Sequence, residues 1–454
     1  MNPLFICVQP HFNVIAKCNV NKMTKHSFGR INNRDAEISF DGEALSTDGG
    51  LILIDKLDKK IGLIEKVASK IQDDRNADRI KHTIVNIIRQ RVYALASGHE
   101  DINDHQTIKD DPLYQSMFNT ESSLASPSTI CRFEKDIPLS VHFETQKALV
   151  ETFIQSYDKA PSEIVLDFDP TDFTLYGDQE SKHYHGYYGD YCYLPLIVTC
   201  DHHLLVAHLR PSNIDGARHV WAVLALLVKE IRKVWADVKI TFRADSGLCR
   251  HRIFNWCEKY DVNYIVGLPA NNKLKETVEA LSQQVKATYH ETRQKQKQFT
   301  EFKYQANTWK RERRVIAKVE YNPLGANNRF IVTNITKHEA QVLYDDVYCA
   351  RGDMENRIKE YQIDMFGSRM SCSAYAANQF RMLLSAIAYV YMNELRHIIH
   401  EENQPMSYCN TVRLKLIKVA VTIRKNTRKL YLQISKSYPY KAMFIKALDL
   451  LVPT

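Results

Sequence analysis

Hydrophobic residues recur at helical spacing through the first third of the chain. The segments 51–71 and 77–98 place apolar side chains three or four positions apart, and short polar connections separate such segments. In the segment 126–137, Ser126 is expected to cap a helix that starts at Pro127 and presents Arg132 one turn later. The pattern predicts a helical domain over 37–157, which is either a DNA-binding helix-turn-helix unit or a plain helical bundle.

The period of the apolar pattern changes at about residue 163. The β-branched and alternating runs 163–169, 191–201 and 203–210 predict three successive strands. A helix, a strand, a second helix and a last strand are then predicted at 217–235, 238–245, 246–260 and 263–268. The order β-β-β-α-β-α-β requires a mixed sheet covered by helices, so we predict an α/β core whose first part spans 158–268.

The sheet pattern stops after Pro269. A predicted helix at 273–290 leads into three runs of β character, at 298–306, 309–321 and 329–335, before helix returns at 341–366. We interpret 269–345 as a β-rich insertion, 346–400 as the last helices of the core, and 401–454 as a basic helical C-terminal region. From residue 381 to the end, twelve Lys and Arg face four Asp and Glu, and this local excess of +8 equals that of the whole chain.

The remaining composition excludes several classes of protein. The ten cysteines form no C-x-x-C pair, so neither a zinc ribbon nor a disulfide scaffold is expected, and a reduced, cytoplasmic setting is favoured. The longest apolar run, 383–392, is about half of the ~20 residues that cross a bilayer. Residues 1–36 are predicted to be an N-terminal extension. Its first 26 residues lack the basic start of a signal peptide, and Met23 is an alternative natural start.

Four acidic residues are placed where an α/β sheet binds ligands. Asp167 and Asp169 lie two apart at the end of one predicted strand, and Asp245 ends another, while Glu355 lies in the last predicted helix. Carboxylates at the C-terminal ends of parallel strands converge beside the crevice of an open sheet. Carboxylate oxygens without thiols or imidazoles favour Mg²⁺ or Mn²⁺, and two such ions suit in-line displacement at phosphorus. Helix caps or solvated charges are the alternative for each acid taken singly.

Polar residues share one face of the helix that contains Glu355. The spacing of Tyr348, Arg351, Glu355, Lys359 and Gln362 is three, four, four and three. An arginine one turn before the acid can hold a phosphate oxygen while the acid binds metal. The alternative is an ordinary Arg–Glu surface pair, worth ~0.3–0.5 kcal/mol.

These motifs together resemble a known family. LDFDPTD (166–172), FRADSGL (242–248) and Y-x-x-R-x-x-x-E on a helix after a β insertion are similar to bacterial insertion-sequence transposases of the DDE family, which have a ribonuclease H-like core. YGDQ (176–179), CYLPLIV (192–198), WKRERRVIAKVE (309–320), NRIKEYQIDMFGSRMS (356–371) and AANQFRMLLSAIAYV (376–390) extend the resemblance over roughly 37–450.

The resemblance implies residue roles. It makes Asp169, in its D-x-T motif, the first metal-binding and catalytic acid in preference to Asp167, with Asp245 the second and Glu355 the third. Tyr348 and Arg351 match the tyrosine and the arginine of the family, as DNA-binding residues. The lysine of the family falls on Gln362, and Lys359 on the same face is the candidate substitute.

The resemblance also implies an activity. The protein is expected to be a DNA transposase that uses two Mg²⁺ or Mn²⁺ ions to cleave at transposon ends and to transfer strands to target DNA. Its expected partners are the double-stranded terminal inverted repeats and target DNA, which a homodimer of the protein would bind. No membrane partner is expected, and the expected location is the bacterial cytoplasm, with the protein on the nucleoid when it is bound to DNA. A structure-selective nuclease and an inactive, DNA-binding repressor remain as alternatives.

A basic and aromatic segment lies in the insertion. Residues 286–320 contain ten Lys and Arg against four Asp and Glu, interleaved with aromatic residues. Such strands suit phosphate contacts and base stacking, which is worth ~1–3 kcal/mol per base. The resemblance to transposases gives Trp309 the role of holding a flipped base, with DNA contacts from Lys310, Arg311, Arg313 and Arg314. A core tryptophan is an equally weighted alternative.

Overall fold

The computed structural model of the chain describes residues 25–118, 120, 122–401 and 404–452. Residues 1–24, most of the predicted extension, therefore lie outside the described residues. The rest of the extension contains an antiparallel hairpin of β1 (His26–Ile31) and β2 (Arg34–Ile38), which a short strand, β3 (Leu45–Ser46), follows.

Between β3 and residue 156, the described residues form seven α-helices, in the helical region that the apolar pattern predicts. Gly62 ends the first of them in a left-handed conformation (φ 69°), and the Ser126 side chain accepts a hydrogen bond from the backbone N–H of Thr129. The predicted cap and the start at Pro127 are thereby confirmed. The helices are α1 (Leu51–Ile61), α2 (Leu63–Ala68), α3 (Ile84–Ser97), α4 (His105–Ile108), α5 (Pro112–Met117), α6 (Pro127–Lys135) and α7 (Leu139–Gln155).

The next strands build two sheets instead of one. The predicted strand 191–201 divides at Pro195, because proline cannot donate to a strand ladder. Its first part forms a small sheet of β5 (Phe173–Thr174), β6 (His183–His185) and β7 (Asp190–Tyr193). The main sheet takes β4 (Glu163–Pro170), β8 (Leu196–Cys200) and β9 (His203–His208).

Two crossover helices complete the core. α8 (Val220–Val234) leads to β10 (Lys239–Ala244), and α9 (His251–Lys259) leads to β11 (Asn263–Leu268). The strands lie in the order β9-β8-β4-β10-β11. β8 is antiparallel to both of its neighbours, β9 and β4, whereas β10 is parallel to β4 and β11 is parallel to β10. This is the ribonuclease H-like order, so the predicted fold class is confirmed.

The insertion extends this sheet. After α10 (Asn272–Thr277) and α11 (Glu279–Thr292), the three predicted β runs become β12 (Gln296–Tyr304), β13 (Arg313–Asn322) and β15 (Arg329–Thr333), with the short β14 (Gly325–Ala326) at a turn. β15 pairs antiparallel with β11, which makes one nine-stranded sheet.

Helix resumes at α12 (Ala340–Val342) and continues through α13 (Arg351–Lys359), with π-helical turns at Leu343–Tyr348 and Glu360–Asp364. The 25-residue α14 (Tyr375–Ile399) then crosses the molecule. None of the helices in the described ranges combines the length and the apolar character needed to cross a bilayer.

The prediction that 401–454 is helical is only partly right. The described residues contain α15 (Cys409–Val412), a π-helical turn at Arg413–Ile417 and α16 (Lys441–Leu451), but also a hairpin of β16 (Val421–Lys425) and β17 (Leu430–Ile434). β16 pairs with β3, and helices from both ends of the chain contribute to one hydrophobic cluster around α14.

Candidate active site

The two aspartates of β4 have different surroundings. Arg243, the cross-strand neighbour of Asp167 on β10, donates from Nε and Nη2 to its two carboxylate oxygens, at 2.5 and 2.6 Å. Arg243 also donates from Nη1 to the carbonyl of Val347 in the helical run. Asp167, which is 3% exposed, is thus occupied by a structural ion pair. Asp169 lies one pleat further along the same face and is left to the groups at the strand end.

Asp245 lies next to Asp169 at this edge. Ala244 pairs with Phe168 in the parallel ladder. The residues that follow them, Asp245 and Asp169, therefore lie at the same edge of the sheet. The Asp245 side chain accepts a hydrogen bond from the N–H of Gly247 at 2.9 Å and thereby caps the 3₁₀ turn Ser246–Leu248. One carboxylate oxygen is fixed by this cap.

Arg351 connects the sheet edge to Glu355. Its Nη2 donates to Asp169 Oδ1 at 2.5 Å, and its Nη1 donates to Glu355 Oε1 at 2.9 Å, one turn along α13. The Glu355 side chain is 53% exposed, whereas Arg351 is only 14% exposed. The first and third predicted acids therefore share one guanidinium, although 186 positions separate Asp169 from Glu355 in the chain.

Tyr348 completes the helical side of the site. A Cβ atom on Gly267 of β11 would come within 2.7 Å of both the Tyr348 hydroxyl and the N–H of Ser246. Glycine is therefore required where this tyrosine crosses the sheet. The hydroxyl lies against the segment that follows Asp245.

The charged groups of the site lie close enough to affect each other's pKa. Burial raises the pKa of Asp169 to about 6, with Arg351 lowering it and the negative charges of Asp245 and Glu355 raising it. Burial also raises the pKa of Tyr348, and the negative charge of Asp245 raises it further. One guanidinium charge stands among three carboxylates, so the site has an excess of negative charge.

The donor set suits a hard cation. The three acids offer carboxylate oxygens, the ligands that Mg²⁺ and Mn²⁺ prefer. Within the described residues, no three His, Cys, Asp or Glu side chains form a ready-made metal site. The guanidinium of Arg351 lies between two of the acids, and a cation that binds all three must take over part of its place.

The two remaining residues of the predicted helix face, Lys359 and Gln362, differ in their contacts. Lys359 is exposed. Gln362 donates from Nε2 to Thr171 Oγ1 at 3.1 Å, and so contacts the D-x-T motif. Sequence reasoning missed this contact and the ion pair of Arg243. The alternation of FRAD along β10, which puts Arg243 on the face of Asp167, was the signal for the second.

The predicted DNA-binding residues of the insertion are mostly paired within the protein. Trp309 is 7% exposed and packs edge-on against Phe254 and Tyr304 in the hydrophobic core. This placement favours a core tryptophan over a base-stacking one, as a correction to the predicted role. Lys310 is exposed, but acidic side chains hold the three arginines: Glu258 for Arg311 and Arg313, and Glu301 for Arg314.

Comparisons with known proteins place the chain. A family model described as "Transposase DDE domain group 1" matches residues 28–454. A solved structure of the piggyBac transposase in a synaptic complex with hairpin DNA is similar over 83% of this chain and 82% of that chain, with a TM-score of 0.42 and 10% sequence identity. No curated protein sequence matches the chain at a significant level.

Proposed function

The chain belongs to the family Transposase DDE domain group 1, and on that premise we propose that Asp169, Asp245 and Glu355 are the metal-binding acids of this DNA transposase. One observation carries the proposal: Arg351 joins the acid of β4 to the acid of α13, beside the end of β10. The strand ends and the helix thus meet at one negatively charged point.

Each residue has a distinct task in the proposed site. Two Mg²⁺ or Mn²⁺ ions, when bound, supply an activated water and neutralise the charge that develops at phosphorus. Asp169, Asp245 and Glu355 hold them, and the Asp167–Arg243 pair fixes the strand that carries Asp169. Arg351 Nε is buried and has no hydrogen-bond partner among the described residues, so it can donate to a phosphate oxygen.

The proposed substrates are the terminal inverted repeats of a bacterial transposon and its target DNA, held by a homodimer on the nucleoid. Phosphate contacts from exposed basic residues such as Lys359 and Lys310 position the duplex, and the acids act on the phosphodiester bond. The same site then directs the freed 3′-hydroxyl at target DNA, without a covalent enzyme intermediate.

The acids are tested by cleavage and strand-transfer assays on labelled transposon ends with Mg²⁺. Asp169→Ala, Asp245→Ala and Glu355→Ala should each lower cleavage at least about a hundredfold. DNA affinity in the absence of metal should stay nearly the same, because distant basic residues supply it.

Asp353→Ala is the matched control. Asp353 is an exposed acid two positions before Glu355 on α13, and its loss should leave cleavage unchanged. Normal cleavage by Asp169→Ala would refute the assignment of the first acid. A wild-type protein that cleaves ends but never joins them to target DNA would be a nuclease.

A further inference from the structure

A cluster of exposed tyrosines has no role in the site described above. We call residues 182–193, which contain β6 and β7, the tyrosine hairpin. Its rings are far more exposed than aromatic side chains usually are: Tyr184 59%, Tyr187 86%, Tyr188 36% and Tyr191 49%. Large exposed aromatic surface of this kind marks an interaction site.

The rings lie side by side. Tyr184 and Tyr191 are cross-strand partners with ring centroids 5.6 Å apart, and Tyr187 and Tyr188 at the tip are 5.0 Å apart. Lys182 Nζ lies 5.6 Å from the centre of the Tyr191 ring. Lys182 Nζ also pairs with Asp178 at 2.7 Å, so the hairpin offers mainly aromatic faces.

The base of the hairpin is anchored in the core. Cys192 and Tyr193 are fully buried, and the N–H of Leu175 donates to the carbonyl of Tyr191 at 2.9 Å. The Ser212 hydroxyl donates to the carbonyl of His183, also at 2.9 Å. The exposed rings are therefore held at a fixed place in the molecule.

That place is beside the acids. β5, which pairs with β7, begins four residues after Asp169. The chain leaves β4 at Pro170 and re-enters the sheet at Leu196, its pairing partner, so the connection that contains the hairpin starts at the sheet edge where Asp169 lies. DNA with a phosphate at the acids must pass close to this hairpin.

We propose that the tyrosine hairpin stacks on unpaired DNA bases next to the cleaved phosphate. Bases inside a duplex already stack on each other, so an aromatic side chain can stack only on a base that has left its pair. Aromatic faces accept any base, because every base has a π-face. Trp309, which was expected to fill this role, is buried. The inference rests on the proposed function, because it takes the acids as the point of cleavage.

The test compares two DNA probes without divalent metal, so that no strand is cut. One probe is a blunt 30-base-pair duplex, and the other is the same duplex with a single-stranded tail of four thymidines. The wild-type protein should bind the tailed probe more tightly. Tyr184→Ala and Tyr187→Ala should each lower affinity for the tailed probe about tenfold and leave the blunt duplex unaffected. Tyr187→Phe should retain most of the preference, because it keeps the ring.

Tyr260→Ala is the matched control. Tyr260 is 45% exposed and lies just before β11, at the sheet edge opposite to the acids. Its loss should change neither affinity. Equal losses for both probes, or no loss in either alanine variant, would overturn the proposal. So would a variant that changes only the oligomeric state in sedimentation, since the hairpin would then join two copies of the chain.

The proposed function fails separately. If the wild-type protein cleaves ends and the tail preference is unaffected by the variants, only the hairpin proposal is wrong. If the variants lose the tail preference while Asp169→Ala still cleaves, the hairpin does bind unpaired bases, but the assignment of the acids, and with it the hairpin's place next to the cleaved phosphate, is wrong.

Discussion

At the scale of single residues, the site depends on how each carboxylate is partnered. Asp167 and Asp169 differ by two positions on β4, yet Arg243 holds both oxygens of the first, while the second shares Arg351 with Glu355. A carboxylate with both oxygens in a buried ion pair is costly to separate from its partner. We therefore expect Asp169, rather than Asp167, to exchange its guanidinium for a cation.

The contact between Gln362 and Thr171 yields a residue-scale prediction. Gln362→Ala and Thr171→Val should each lower the cleavage rate about fivefold, because one neutral hydrogen bond is worth about 1 kcal/mol. The double variant should be no slower than either single variant, since both remove the same bond. Cleavage time courses at saturating protein measure the effect.

Asn356→Ala, a polar truncation on the same helix, should leave the rate unchanged. If the two single effects add in the double variant, the hydrogen bond does not transmit the role of Gln362.

At the scale of elements, the helical run around Glu355 is not one regular helix. π-helical turns precede and follow α13, and each adds a residue per turn. Even so, Tyr348, Arg351 and Gln362 all contact the sheet, against Gly267, Asp169 and Thr171. π-turns often lie at functional sites, and here they flank a helix whose three side chains contact the ends of two strands, β4 and β11.

The basic hairpin of β16 and β17 yields an element-scale prediction. Arg428 and Lys429 are exposed in its turn. If both contact phosphate, Arg428→Gln with Lys429→Gln should make the slope of log affinity against log salt shallower by about 1.8.

The control replaces two other exposed lysines, Lys229 on α8 and Lys239 at the start of β10, far from the acidic edge. That pair of substitutions should leave the slope unchanged. A basic hairpin variant with the wild-type slope would show that the turn does not touch phosphate.

The sequence predicted those helices and strands whose signals lie within the element itself. The β-branched run of β4, the caps of α6 and the three strands of the insertion all lie where the sequence placed them. The same patterns placed Asp167, Asp169 and Asp245 at strand ends, whereas the resemblance to transposases implied which acids bind metal.

Contacts between distant segments were not predictable in this way. The hairpin of β16 and β17 was read as basic helix, since only Val421 and Ile423 of its first strand are buried and β3 completes it from the other end of the chain. For Trp309 the sequence left base stacking and a core position open, because its basic neighbours in sequence gave no sign of Phe254 and Tyr304 beside it.

At the scale of the whole molecule, a segment near the start of the chain is hydrogen-bonded to a segment near its end. We call this contact between residues 48–50 and 417–419 the seam. The N–H groups of Gly49 and Gly50 donate to the carbonyls of Val419 and Ile417, at 2.8 and 3.1 Å, and Lys418 Nζ donates to Asp48 at 2.7 Å. Deletion of 401–454 would remove this seam along with buried residues of the shared core, so it is not a clean test of DNA binding.

A point substitution tests the seam better. A Cβ atom on Gly50 would lie 1.6 Å from the carbonyl oxygen of Leu416, so Gly50→Ala must separate the two segments. We expect a loss of about 1–3 kcal/mol in the free energy of unfolding, the usual cost of overpacking. Gly42→Ala, in open space, is the control for thermal denaturation. Equal melting temperatures for the two variants would show that the seam yields without cost.

The contact between the two ends of the chain also determines when the hydrophobic core can form during synthesis. Helices α1 to α7 leave the ribosome early, but their apolar faces are covered by α14 to α16, which emerge more than 200 positions later. At ~5–20 residues per second, that interval is roughly 10–60 s, during which chaperones must shield the early helices. A message cut short by a premature stop codon yields a chain that never closes its core. Such fragments are expected to be degraded before they can occupy transposon ends as inactive competitors.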